Sequence, residues 1–333
     1  MNKYKIIVVL MLMLAGIKPS GAQQNIQFTQ YIFNSLSVNP AYAGYKEEWF
    51  AQMAMRSQWV GVKDAPQTGQ VSIDGVLDPV NKRLGLGLVI NADQLGAQSA
   101  NSAYLNFAYR LRLNSDDTRR LTFGLGAGVT QYGLDYSKLS PIDAEDQTVS
   151  SGVDNSFIPD VRFGVYYSSP KFYIGASGMD LLSASSLKGV FGESGSNLNL
   201  KHDRHVYLMS GLLFDLNEEV KLRPSFLVKE DFKGPTSIDI NSMIIFRDKF
   251  WAGASYRSGA KIWRKDYSEG QNVSDLNSVS GVVQFYVSRK LRLGYSYDYA
   301  LSQLSSQSSG SHEISLGLTF PKHSTRLLSP RFF

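Results

Sequence analysis

The 333-residue chain contains no cysteine. That excludes disulfides, thiolate metal sites, cysteine nucleophiles and lipid attachment through a thiol. An exported protein of this sequence has to be stable without cross-links. Only four histidines are present, too few for His-rich metal chemistry. Beyond residue 22 there is no run of 18 apolar residues, so no transmembrane helix is expected there. Charge of one sign is also scarce where it would count. The formal net charge is +5, yet residues 1–22 carry Lys3, Lys5 and Lys18 with no acid, and residues 321–333 carry Lys322, Arg326 and Arg331 with no acid. The body between them has 28 Lys+Arg against 29 Asp+Glu, interspersed along the chain. A basic nucleic-acid-binding domain is excluded on that balance.

What is abundant is aromatic and small. Phe and Tyr number 18 each and Gly 29, a composition that favours β structure. Residues 1–22 have the build of a signal peptide: Lys3 and Lys5, an apolar run from Ile6 to Ile17, then Pro19 and the small residues Ser20, Gly21 and Ala22. Cleavage is expected before Gln23. The apolar run is too short to anchor the chain in a bilayer.

From residue 49 onward the period is two. Trp49, Ala51, Met53 and Met55 alternate with Gln52, Ala54 and Arg56; Leu121, Phe123, Leu125, Ala127 and Val129 alternate with Thr122, Gly124, Gly126, Gly128 and Thr130. A strand sends alternate side chains to opposite faces, so each such segment has one oily and one polar side. The pattern predicts fourteen strands at 49–58, 67–78, 82–93, 99–113, 119–135, 157–168, 171–181, 203–216, 219–231, 236–247, 249–259, 278–288, 290–301 and 310–320. Most approach the length a tilted strand needs to cross a membrane. Short connections alternate with a set that includes three long loops, 136–156, 182–202 and 260–277. Even strand number, sorted loop lengths and aromatics near strand ends (Tyr132, Tyr136, Phe172, Phe250, Tyr299) predict an all-β transmembrane antiparallel barrel of about 14 strands over 49–320. Residues 321–333 form a basic tail, expected outside the barrel.

No motif of catalysis emerges. Gly124-Leu125-Gly126-Ala127-Gly128 has Val129 where a dinucleotide loop needs its last glycine, and continues as a strand. A better account is that Gly85, Gly87, Gly124, Gly126, Gly128, Gly175, Gly253, Gly294 and Gly317 all fall on the polar face, which in a barrel is the lumen. Such glycines leave room for something inside, either the N-terminal segment or a partner. In His202-Asp203-Arg204-His205 an extended chain points the rings to opposite faces, so joint metal ligation is not expected. Asp143-Ala144-Glu145-Asp146 reads as a solvated loop. No G-x-S-x-G elbow occurs. No enzyme activity, cofactor or metal is expected.

Residues 23–48 do not alternate. Phe28, Tyr31 and Ile32 have the spacing of a short amphipathic helix, and Asn39-Pro40 ends it. This segment is expected at the barrel mouth or in the lumen as a plug. Its motifs are long: Gln27-Phe28-Thr29-Gln30-Tyr31-Ile32-Phe33-Asn34, Asn39-Pro40-Ala41-Tyr42-Ala43-Gly44, Arg56-Ser57-Gln58-Trp59-Val60-Gly61 and Ala65-Pro66-Gln67-Thr68. Over roughly residues 27–68 the chain resembles the PorP/SprF family, outer-membrane proteins of the type IX secretion system of Bacteroidetes. It departs from that pattern at Ser35, where many members have proline.

The resemblance implies a Gram-negative outer-membrane barrel that supports secretion, gliding or surface attachment of cargo. Its implied partners are a secreted cargo or adhesin C-terminal domain, type IX secretion components on the periplasmic side, and outer-membrane lipid. Candidate structural or partner-binding residues are Phe28, Gln30, Tyr31, Asn34, Asn39, Pro40, Tyr42, Arg56 and Trp59. Pro40 would fix a turn, Tyr42 would pack at the mouth, Arg56 would pair inside the lumen, and Trp59 would sit at the outer end of the first strand. The rival reading is a passive outer-membrane transporter of apolar small molecules with an N-terminal plug.

Overall fold

A computed structural model of the chain describes residues 28–138, 152–182, 203–262, 277–320 and 333. The predicted signal peptide, the acidic run at 143–146 and His202 lie outside the described residues. Fourteen strands follow one another: β1 (Trp49–Ser57), β2 (Gln67–Val76), β3 (Leu84–Leu95), β4 (Gln98–Arg112), β5 (Arg120–Asp135), β6 (Val153–Ser168) and β7 (Phe172–Met179). Then come β8 (His205–Leu212, resumed at Phe214–Asp215), β9 (Val220–Glu230), β10 (Thr236–Phe246), β11 (Phe250–Ala260), β12 (Ser278–Tyr286), β13 (Leu291–Ala300) and β14 (Ser311–Phe320). Each pairs antiparallel with the next, and β14 pairs back with β1 from Trp49↔Phe320 to Ser57↔His312. The sheet is therefore closed. Closure leaves no strand edge, which is the condition for β structure in hydrocarbon.

Alternation does what the sequence predicts on the outer face. Met53, Met55, Val71, Leu105, Leu125, Ile240, Ile244 and Ile314 point outward and are exposed. The inner face is less uniform than expected. It carries the polar set but also Val89, Met209, Leu227, Met243, Ile245 and Val282, all buried. These face an apolar filling (described below), so an inward apolar residue costs nothing there. Strand β6 starts at Val153, four residues earlier than its pattern suggests, because Asp135 to Tyr132 offer it partners.

Connections sort by end. Those at 169–171, 216–219, 247–249 and 287–290 have three or four residues, and 77–83 and 113–119 have seven each. In the 77–83 turn the Asp78 carboxylate accepts hydrogen bonds from the Asn81 amide side chain (2.8 Å) and from the Val80 and Asn81 backbone N–H (3.0 and 3.2 Å), which hold its carboxyl below the usual range. The three longest connections, 136–152, 180–204 and 261–277, are all at the opposite end, although 96–97 and 231–235 there are tight as well. The short-turn end is the periplasmic side of outer-membrane barrels.

Residues 28–48 run inside the barrel wall. The predicted amphipathic helix is instead three 3-10 turns, Thr29–Phe33, Ser35–Ser37 and Pro40–Tyr42. Amphipathicity suits a helix with one wet face. Here Thr29, Gln30, Tyr31, Ile32 and Phe33 are all buried, so the wall touches every side of the turn. Asn39 caps the third turn by accepting from the Ala41 N–H at 2.9 Å, with Pro40 in the first position where no amide donor is needed.

The lumenal glycines make this packing sterically possible. A Cβ at Gly85 would overlap the Ala43 carbonyl, one at Gly124 the Ala41 backbone, and those at Gly87, Gly175 and Gly294 would press on Leu36, Asn39 and Gln30. Gly126, Gly128, Gly253 and Gly317 instead make room for side chains of the wall itself. The Gly124→Val protein is therefore expected to lose about 1–3 kcal/mol or more through overpacking, with residues 28–48 becoming protease-sensitive. Gly281→Ala, where the added Cβ meets nothing within 4 Å, is expected to be neutral in the same thermal-unfolding and proteolysis assays.

Candidate functional site

The inserted segment is held at successive levels of the lumen. Near the long-loop end, Arg56 on β1 projects inward and pairs with Asp298 on β13 (Nη1–Oδ2 2.5 Å) and Glu313 on β14 (Nη1–Oε2 3.2 Å). All three side chains are at most 5% exposed. Glu313 also accepts from the backbone N–H groups of Thr29 (2.8 Å) and Gln30 (3.0 Å), while the Thr29 hydroxyl donates to Asp298 at 2.7 Å. The Gln30 side chain donates to the Glu313 carbonyl (3.0 Å) and accepts from Ser315 (2.6 Å). A buried charge is tolerable only when paired and hydrogen-bonded, and this arginine meets two carboxylates that each also accept a hydrogen bond from the segment.

Further down, Tyr31 accepts from Asn241 (2.6 Å) and Asn34 donates to Gln70 and Ser72 (2.7 and 3.0 Å). The Ile32 and Phe33 carbonyls accept from Arg223 and Arg292 (3.2 and 3.1 Å). The amide of Asn39 donates to the Val165 and Ala176 carbonyls, and the Ser177 hydroxyl donates to the Val38 carbonyl. Phe33 meets Trp251 edge-on at 5.9 Å, and Tyr42 stacks on Tyr45 at 5.0 Å. At the short-turn end the Glu47 carboxylate binds Lys82 (2.7 Å) and faces Arg110 and Arg120 (3.5 and 3.6 Å).

Above the segment, in the long-loop half of the lumen, lies a cavity of about 110 Å³. Phe28 and Tyr31 form part of its lining, together with Asp93, Arg162, Asp180 and Lys229 from the wall. The cavity is therefore polar and carries charges of both signs, a surface suited to amide and charged groups of a polypeptide. Beside it, His205 faces Asp180 (Nδ1–Oδ2 3.0 Å), a pairing of two side chains and not a metal-ligand set.

Of the residues singled out in sequence, Phe28, Gln30, Tyr31, Asn34, Asn39, Pro40, Tyr42 and Arg56 come together in this lumen. Trp59 does not. It sits just past β1 at the long-loop end, partly exposed, with φ of 50° and its N–H donating to the Ser311 hydroxyl at 3.1 Å. Sequence reasoning missed Glu313, Asp298, Glu47, Asp74, Arg223 and Arg292. One signal for Glu313 existed: if the last strand closes on the first, the inward phases of β1 and β14 place Glu313 opposite Arg56, as the register does. Phe333 was also missed. The tail was expected outside the barrel; residues 321–332 lie outside the described residues, and Phe333 is buried against Tyr42 and Tyr173.

A closed fourteen-stranded antiparallel barrel with an oily exterior and a charged, segment-bearing lumen defines an outer-membrane protein of the secretion or channel type. The chain matches the family described as type IX secretion system membrane protein PorP/SprF over residues 20–318, and it belongs to that family. Solved structures agree on the fold. The CymD monoaromatic hydrocarbon channel is 14% identical with a TM-score of 0.53, covering 92% of this chain and 96% of its own. The Ralstonia pickettii toluene transporter TbuX is 12% identical with a TM-score of 0.50, covering 91% and 96%. A comparison with curated protein sequences gives no match.

Removing Arg56 would leave Asp298 and Glu313 buried without their cation, so Arg56→Ala is expected to cost about 3–5 kcal/mol. Glu313→Gln keeps one acceptor and should cost about 1–3 kcal/mol. Unfolding of the purified barrel in denaturant reads both. The Arg56→Ala/Glu313→Ala pair should lose less than the sum of its single changes, since both act on one network.

Proposed function

We propose that this protein is a non-enzymatic accessory of type IX secretion that holds a secreted cargo at the cell surface, with residues 28–48 acting as a plug. The observation that carries the reading is the filling of the lumen. Main-chain and side-chain groups of the segment bond to β1, β2, β6, β7, β9, β10, β13 and β14, so the short-turn half of the barrel has little room for a diffusing solute. The polar cavity and the long loops remain on the opposite side. A cargo's β-rich C-terminal domain would dock there, and secretion components would meet the short-turn end. Export would use residues 1–22 as a cleaved signal peptide, with cleavage before Gln23.

The second reading, transport of apolar small molecules, draws on the hydrocarbon channel and the toluene transporter among the fold neighbours. At 14% and 12% identity these speak for the fold alone. An oily solute also needs an oily path, whereas the lumenal cavity beside the segment carries Asp93, Arg162, Asp180 and Lys229.

Two measurements separate the readings. In planar bilayers the intact protein should show little conductance, and a chain lacking residues 28–48 should open a large, steady pore. In affinity isolation from detergent-solubilised outer membranes, the protein should retain a surface protein through that protein's C-terminal domain. Recovery of bound lipophile with no such cargo, and ready conductance by the intact chain, would overturn the anchor in favour of the transporter.

A further inference from the structure

Phe333 is separated from the end of β14 by twelve residues, yet its ring is only 4% exposed. The ring lies 4.8 Å from that of Tyr173, and the Arg223 guanidinium sits 5.4 Å from its centre. Its main-chain oxygen accepts a hydrogen bond from the Tyr42 hydroxyl at 2.6 Å. Behind these contacts the walls are aromatic again. Tyr42 meets Tyr166 edge-on at 5.7 Å, and Tyr166 stacks on Tyr173 at 5.6 Å. The Tyr166 side chain is 1% exposed, and its hydroxyl has no hydrogen-bond partner among the described residues.

We propose that the short-turn mouth of the barrel contains a binding pocket for a phenylalanine carried on a peptide segment, and that Phe333 is its resident ligand in cis. The pocket offers three things such a ligand uses. Tyrosine faces and edges provide apolar contact with preferred geometry. A guanidinium above the ring adds a cation–π attraction in a desolvated place. The Tyr42 hydroxyl reads a main-chain acceptor, so the pocket recognises an aromatic residue within a polypeptide and not a free hydrocarbon. The idle Tyr166 hydroxyl is a further polar group that a peptide could engage.

The chain can deliver its own ligand. β14 ends at the short-turn end, and Tyr173 and Arg223 follow the turns at 169–171 and 216–219 at that same end. Twelve residues span up to roughly 40 Å when extended. Phe333 touches both the inserted segment, through Tyr42, and the wall, through Tyr173 and Arg223. It therefore works as a releasable latch that fastens residues 40–45 to β7 and β9. This inference does not depend on the cargo reading.

Two experiments on the full chain test it. First, a photoreactive benzoylphenylalanine placed at 333 in outer-membrane preparations should cross-link within the chain, to residues 40–45 and to β7 or β9. Cross-links to other sites only, or to none, would overturn the proposal. Second, a fluorescent peptide of the sequence from Arg326 to Phe333 is titrated onto Phe333→Ala protein and onto the unaltered protein. A tail in cis competes at an effective concentration near the millimolar range, so the Phe333→Ala protein should bind about tenfold tighter or more. Adding Tyr42→Phe should weaken that binding about two- to tenfold, the worth of one hydrogen bond. A peptide whose last residue is alanine should not bind. Equal binding by both proteins, or binding by neither, would refute a pocket filled by Phe333. Heat-modifiable mobility in gels confirms that the variant barrels are folded, and if Phe333→Ala fails that check the cross-linking result decides alone.

Discussion

The first and last strands of the barrel meet along nine residue pairs, from Trp49↔Phe320 to Ser57↔His312. One of those pairs, Arg56 with Glu313, sets an arginine and a carboxylate side by side on the inner face. Hydrocarbon tolerates a sheet only when its edges are joined, so this closure is what makes the membrane location possible. The same closure encloses charge in a space with little water. The carboxylate of Glu313 then has to be satisfied, and it is, by Arg56 and by the Thr29 and Gln30 amides together. Barrel closure and insertion of the N-terminal segment are thus one electrostatic arrangement.

The rest of the lumen extends that logic. The inserted turns lack the continuous hydrogen bonding of an α-helix, so their backbone groups look outward for partners. The wall supplies them: Arg223 and Arg292 to carbonyls, Asp74 to the Gly44 amide at 2.9 Å, and Asn39 of the segment returning bonds to strand carbonyls. Apolar side chains of the segment meet an apolar patch of wall. The matched lumen leaves its polar cavity in the long-loop half.

The barrel itself was legible in sequence. Alternation at Leu121 to Thr130 or at Trp49 to Arg56 exposes its phase directly, because a strand in a membrane barrel has lipid on one side for most of its length. Loop lengths alternating along the chain marked the two ends. The glycines at 85, 87, 124, 175 and 294 announced that something approaches the inner wall. Less was legible in the segment that approaches. Phe28, Tyr31 and Ile32 read as one face of a helix, a reading that assumes solvent on the other face. Inside a barrel there is none, and 3-10 turns result. Glu313, Asp298 and Arg292 read as ordinary polar-face residues, since nothing local distinguishes a lumenal charge that meets a partner from one that meets water.

Length, period and phase are local properties, and the sequence alone determined them: fourteen strands, an oily outer face, a lumen with space in it and an N-terminal stretch that is not a strand. What tertiary structure alone decided is which residues separated by more than 200 positions share that lumen. Arg56 with Asp298 and Glu313, Asn241 with Tyr31, and Tyr42 with Phe333 are brought together only once the ring is closed. The physical reason is that strand phase follows from each residue's immediate neighbours, whereas a buried charge or ring finds its partner through the curvature of the whole barrel.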